Sequence, residues 1–327
     1  MMLYYPVEKL KFLAFGILFV LSTLASAQQW PVKPVRIVVP FPPGQGADIV
    51  GRLLAERLTP VLGQQVIVEN RPGAGSMIGT EFVAKAAPDG YTFLIGGTSA
   101  MVVNPNLFTK LGYDTLRDFT PVTNVAALAF VFCVNPALPA RSITDLVKIA
   151  KRRPGEISFG SSGVGATNHL TQELFASNAG IKLTHVPYKG AVPSLTDLIS
   201  GQIALVAETA STVLPHVKAG RIRAIGVSPI KRIPFLPDVA TLDEQGVKGF
   251  DIMAWAGLVA PAGTPAPILD RLNSELVAVL KTPEVQKRMQ DLALVPIGDS
   301  REHFAAFLKD ELARWAIAVK LSGAKIE

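Results

Sequence analysis

The chain reads as an α/β protein of two lobes, each a mainly parallel sheet flanked by helices, the pair joined by two crossover strands. Three observations predict this. Short β-branched runs alternate with helical patterns, which is the grammar of βαβ units. The strand, glycine loop and helix of residues 35–62 recur in kind at residues 157–179. Two long apolar runs, "TNVAALAFVFCVNP" (123–136) and "GFDIMAWAGLVAP" (249–261), are placed to carry the chain out of the first lobe and back.

The N-terminus is set apart from this pattern. Lys9 and Lys11 precede an uncharged apolar run, residues 12–24, and then Ala25-Ser26-Ala27. A basic start, a short apolar core and an A-x-A site are the parts of a secretory signal peptide, with cleavage expected after Ala27. A membrane-spanning helix needs ~20 apolar residues, more than this core supplies. No cysteine stands at the junction to carry a lipid, so no stable membrane anchor is expected after cleavage. Residues 1–27 are therefore set aside from the fold.

In the first lobe the pattern predicts strands at 35–41, 66–69 and 91–95, with helices at 47–62 and near 75–87. Ile49, Leu53, Leu54 and Leu58 recur at helical spacing, and Gly63 follows as a stop. The second lobe repeats the order. Strands are expected at 157–159, 183–186 and 203–207, with helices from the "GSSGVGATNHL" loop to about 179 and at 191–200. Helices at 267–281, 283–292 and 301–321 would then return to cover the first lobe, with Thr282 capping Pro283 at a helix start. The lobes divide as 28–127 with 252–327, and 128–251.

Composition excludes several function classes. The 327 residues are 49% apolar and 18% charged, enough for a large core and far from a disordered profile. A net charge of +6 is mild. The densest basic cluster, Lys151-Arg152-Arg153, beside a Pro-Gly turn and without interleaved aromatics, reads as a solvated helix end, so no nucleic-acid partner is expected. Cys133 is the only cysteine, which forbids an intramolecular disulfide, and its apolar strand makes it a small buried hydrophobe. His169, His185, His216 and His303 are scattered, and none pairs at metal-ligand spacing, so no metal site is expected.

The glycine loops carry the functional signal. In "VVPFPPGQGADIVGRLLAERL" (38–58), Gly44-x-Gly46 is followed by Ile49 where a dinucleotide fingerprint needs its third glycine. In the second loop Gly163-x-Gly165 is followed by Asn168. No phosphate-cradling P-loop motif occurs, so no nucleotide cofactor is expected. A hydrolase is also poorly supported, because no serine satisfies the G-x-S-x-G elbow. A small anion remains. Each loop leaves backbone N–H groups unpaired at a helix N-terminus, with the positive dipole end behind them. Two such ends facing one cleft would hold a carboxylate without Lys or Arg. Asp48 and Thr167 fall in the first turns, where capping and ligand contact are both open to Asp48.

Five ordered segments resemble one known family, the periplasmic solute receptors of tripartite tricarboxylate transporters, also called Bug proteins. They are "WPVKPVRIVVPFPPGQGADIVGRLLAERL", "VIVENRPGAGSMIGTEFVAKAAPDGYTFLIG", "HVPYKGAVPSLTDLISGQIAL", "AGRIRAIGVS" and "GLVAPAGTPAPI". The resemblance covers essentially the whole chain after residue 27. It implies a type II periplasmic-binding-protein architecture and a ligand carboxylate held by two loops. The first loop is represented here by Phe41, Pro43, Gly44, Gln45, Gly46 and Asp48. The second is represented by Ser161, Ser162, Gly163, Gly165, Thr167, Asn168 and His169. Thr98, Ser99, Glu208 and Thr209, after the lobes' third strands, would contact the rest of the ligand.

Three positions depart from the family's usual pattern. Gln45 stands where glycine is usual, Ala47 replaces Thr or Ser, and Glu208 replaces a more frequent Asp. A carboxylate in the pocket repels a second anionic group, so the expected ligand has one carboxylate and a neutral or cationic distal group. The resemblance implies a monomeric, cofactor-free receptor in the periplasm that serves inner-membrane permease subunits and is not an enzyme. A sensor that reports to a membrane signalling protein, and a secreted hydrolase, are the competing readings. Pro187, Tyr188 and the segments near Val131 and Trp255 are candidate hinge or cleft neighbours, though core packing explains each singly.

Overall fold

In the computed structural model, which describes residues 30–322, strand β1 (Val35–Val39) lies between β2 (Val66–Asn70) and β3 (Thr92–Gly97). All three run parallel, with Val35 opposite Val66 and Ile37 opposite Phe93. A second parallel triplet places β5 (Ser158–Ser161) between β6 (Thr184–Pro187) and β7 (Leu205–Thr209). The expected signal segment and its cleavage site lie outside the described residues.

The two triplets are joined by antiparallel strands. β4 (Phe119–Val134) pairs with β9 (Met253–Pro261) as far as Ala129, opposite Met253. From Phe130 onward it pairs instead with β7 and with β8 (Arg223–Val227). β9 in turn pairs with β3, and the order is β2-β1-β3-β9-β4-β7-β5-β6. Each half is thus a parallel core edged by antiparallel crossover strands. The first crossover strand begins earlier than its apolar run implies, at Phe119, and the second begins later, at Met253.

The Gly46 helix (Gly46–Leu62) follows from its sequence. Val50, Leu53, Leu54 and Leu58 bury one face against β1 and β3, each worth about 1.5–3 kcal/mol of apolar burial. Gly63 adopts the left-handed conformation, φ 68°, and its N–H closes onto Thr59 O. Thr282 caps the Pro283–Asp291 helix through the Val285 N–H. The helix expected near 75–87 forms only over Met77–Ala84, because Gly73, Ala74, Gly75 and Ser76 all take positive φ. Of the Ile143–Arg152 helix the sequence shows only the basic end, and β8 and the Ala210 helix (Ala210–Lys218) are among the elements it does not announce. Lys151 and Arg152 close the first of these, exposed, and Cys133 is fully buried.

Candidate functional site

Both glycine loops are braced from behind. Gly44, at φ 85°, donates its N–H to Asp48 Oδ2 at 2.9 Å. Asn70 Nδ2 donates to Asp48 Oδ1 at 2.8 Å and to Phe41 O at 3.0 Å, while Arg52 Nε donates to Asp48 Oδ2 at 2.9 Å. Burial alone would raise the Asp48 pKa, but the donors from Arg52, Gly44 and Asn70 outweigh it and hold the carboxyl below its usual value. Asp48 therefore ties the first loop to β2 and its own helix.

The second loop rests on a histidine stack. Ser161 Oγ accepts from Gly163 N at 3.1 Å and lies 2.6 Å from His185 Nε2. The His185 and His169 rings stack with centroids 3.9 Å apart, and the near-parallel Phe159 ring lies 4.9 Å from His185 and 6.2 Å from His169. Gly165 N donates to His169 Nδ1 at 3.2 Å. Burial, with His169 alongside, pushes the His185 pKa down to about 4. Gly163 and Gly165 both take positive φ, which lets the loop turn into the Thr167 helix (Thr167–Ala179).

Between these loops lies an inner chamber. Among the residues singled out from sequence, Phe41, Gln45, Gly46, Thr98, Ser99, Ser162, Thr167, Asn168, Glu208 and Thr209 line it. A wider outer chamber shares Phe41, Gln45, Ser99 and Ser162 and adds Gly163. Pro43, Gly44, Asp48, Ser161, Gly165 and His169 line neither chamber, and the last four form the bracing just described. Of the cleft neighbours, Trp255 lines the inner chamber and Tyr188 the outer, while Val131 and Pro187 line neither.

Hydrogen bonds link the loops across the chamber. Gln45 Nε2 donates to Ser162 Oγ at 3.3 Å. Asn168 Nδ2 donates to Ser162 Oγ at 3.1 Å and to Glu208 Oε2 at 2.8 Å, and Thr209 N donates to Glu208 Oε1 at 2.8 Å. Burial raises the Glu208 pKa, against the opposing pull of these donors. Ser99 Oγ is buried and has no protein partner. Gly46 carries the first helix into close contact: a Cβ there would sit 2.4 Å from Leu128 Cδ2 and 3.1 Å from Thr209 Oγ1.

The apolar wall comes from the two segments named as cleft neighbours, near Val131 and Trp255, although its individual side chains were not named apart from Trp255. Leu128 and Phe130 from β4, and Ala254 and Ala256 from β9, line the chamber as pairs two residues apart, each on one face of its strand. That alternation is present within the two apolar runs and was the available signal. The Gly73–Ser76 turn on the rim of the outer chamber carried only its glycines as a sign.

Two α/β halves joined by antiparallel crossover strands, with a chamber between their glycine loops, are the architecture of a solute-binding receptor. The chain belongs to the tripartite tricarboxylate transporter family receptors, whose family model matches residues 50–323. Solved structures agree. An R. palustris protein with adipate is 36% identical, with a TM-score of 0.89 over 91% of this chain and 100% of its own. The periplasmic binding protein BugD is 35% identical, with a TM-score of 0.86 over 91% and 100%. MatC from Rhodopseudomonas palustris with bound malate is 30% identical, with a TM-score of 0.83 over 89% and 100%. The neighbours are thus binding proteins, two of them solved with a small carboxylate.

Proposed function

We propose that the protein is an exported periplasmic receptor that captures a small carboxylate and delivers it to inner-membrane permease subunits. The observation that carries this reading is the pair of helix N-termini at one chamber. Gly46 and Ala47 line it from one helix, and Thr167 and Asn168 from the other. First-turn N–H groups have no acceptor within their helix, and the dipole favours an anion there. No Lys, Arg or His lines the chamber among the described residues, so backbone groups are the positive pole. The lobes are residues 28–127 with 252–327, and residues 128–251, and they close on the ligand as a monomer. Ser161 is fully buried and lines neither chamber, which leaves its contact with His185 a structural one and speaks against hydrolysis.

Thermal unfolding against a panel of small carboxylates and their amides tests the proposal, after unfolding and refolding to strip bound ligand. A ligand at 100 times its Kd stabilises by about 2.7 kcal/mol, several degrees of Tm. The expected result is a shift with an acid and none with its amide. No shift with any acid would overturn the reading.

A further inference from the structure

The inner chamber holds an acid with no base beside it. Glu208 is the penultimate residue of β7, is 7% exposed and lines the chamber. Its hydrogen-bond donors are Thr209 N and Asn168 Nδ2, both at 2.8 Å, and Ser162 Oγ at 3.4 Å, and none is cationic. Both carboxylate oxygens are within hydrogen-bond reach of neutral groups only, so an ionised Glu208 has no cationic partner among them. An ionised carboxylate buried without a cation is costly, and the cost falls sharply once a positive charge is supplied.

The opposite requirement stands a short way off. The N-termini of the Gly46 and Thr167 helices and the unpartnered Ser99 hydroxyl present donors to the same space. The chamber therefore holds both donors and an acceptor, and Phe41, Phe130 and Trp255 in its lining offer aromatic surface that tolerates a cation. We infer that the ligand is an aminocarboxylate, its carboxylate taken by the helix N-termini and its ammonium group by Glu208. This rests on the receptor reading above and narrows it. A second carboxylate, as adipate or malate carries, would face Glu208 as a like charge and be rejected.

Calorimetric titration of the purified, ligand-stripped protein tests this with butanoate, 2-aminobutanoate, 4-aminobutanoate and succinate, and with their longer homologues. One of the amino acids should bind about tenfold or more tighter than both the plain acid and the diacid of its length. Glu208→Gln should abolish that preference, and Glu208→Asp, which keeps the charge, should retain it. A plain acid or a diacid that binds as tightly as the amino acid would overturn the inference and leave the receptor reading standing. So would a preference that survives in Glu208→Gln. If none of the carboxylates binds, the receptor reading fails, and this inference fails with it.

Discussion

Gln45 and Ser162 stand 117 residues apart in the chain, yet the amide nitrogen of one lies 3.3 Å from the hydroxyl oxygen of the other. The first residue precedes the Gly46 helix and the second follows β5, so the bond spans the chamber from one glycine loop to the other. Ser162 passes the connection to Asn168 and Glu208. A double-mutant cycle on carboxylate binding with Gln45→Ala and Ser162→Ala should show a coupling of about 0.5–1.5 kcal/mol. Additive losses would mean that the two side chains act on the ligand separately and that the bond does not help to hold the bound state.

Gly46 should prove intolerant of any side chain. A Cβ there would stand 2.4 Å from Leu128 Cδ2, 3.1 Å from Thr209 Oγ1 and 3.2 Å from Ser211 Oγ. Leu128 lies on β4, and Thr209 and Ser211 lie at the start of the Ala210 helix, so the added methyl would wedge the first loop away from its opposite wall. Gly46→Ala should weaken ligand binding by roughly tenfold or more, because overpacking of this kind costs about 1–3 kcal/mol. A variant that binds as well as the parent would show that the loops separate freely at this point.

The parts of the site legible in the sequence are those with local causes. Gly44, Gly163 and Gly165 turn the chain into helices, and the helices follow from apolar spacing, so both donor poles could be placed from residues 38–62 and 157–179. The walls could be placed only as segments, near Val131 and Trp255, and not side chain by side chain. Leu128, Phe130 and Ala256 sit in runs that read alike whether a side chain meets core or cavity. Only the register of β4 against β9 and β7 decides that. The Ala210 helix was hidden by Ser211, Thr212 and an internal Pro215, all poor helix formers. Burial of Val213 and Leu214 overrides their preference. Asp48 shows the limit most clearly, since its place in the first helical turn permitted two roles. Its Asn70 and Arg52 contacts, and its absence from the chamber lining, make it a brace.

Asp48→Asn should destabilise the protein by about 1–3 kcal/mol, because an amide nitrogen would replace one acceptor among three converging donors. The pH dependence has a definite sign. The folded-state pKa of Asp48 lies below its usual 3.8, so its contribution is present above that value and lost as pH falls through the folded pKa. The gap between parent and variant in urea unfolding should be full at neutral pH and close only in strong acid. A gap that stays constant through that range would show that the charge of Asp48 is not what ties the loop.

His185 should impose a second pH dependence at milder acidity. Burial and the neighbouring His169 lower its pKa from 6.5 to about 4 in the folded protein, whereas the unfolded chain takes up the proton near 6.5. Between those values the unfolded state binds more protons, so stability falls as pH drops from 6.5 toward 4. Protonation would also place a cation against the Phe159 and His169 rings and disturb the 2.6 Å contact with Ser161, whose hydroxyl positions Gly163 in the second loop. His185→Gln keeps a hydrogen-bonding group near Ser161 but cannot titrate. Its Tm should therefore decline less between pH 6.5 and 4 than that of the parent. Equal declines in the two proteins would assign this acid sensitivity to groups other than the histidine stack.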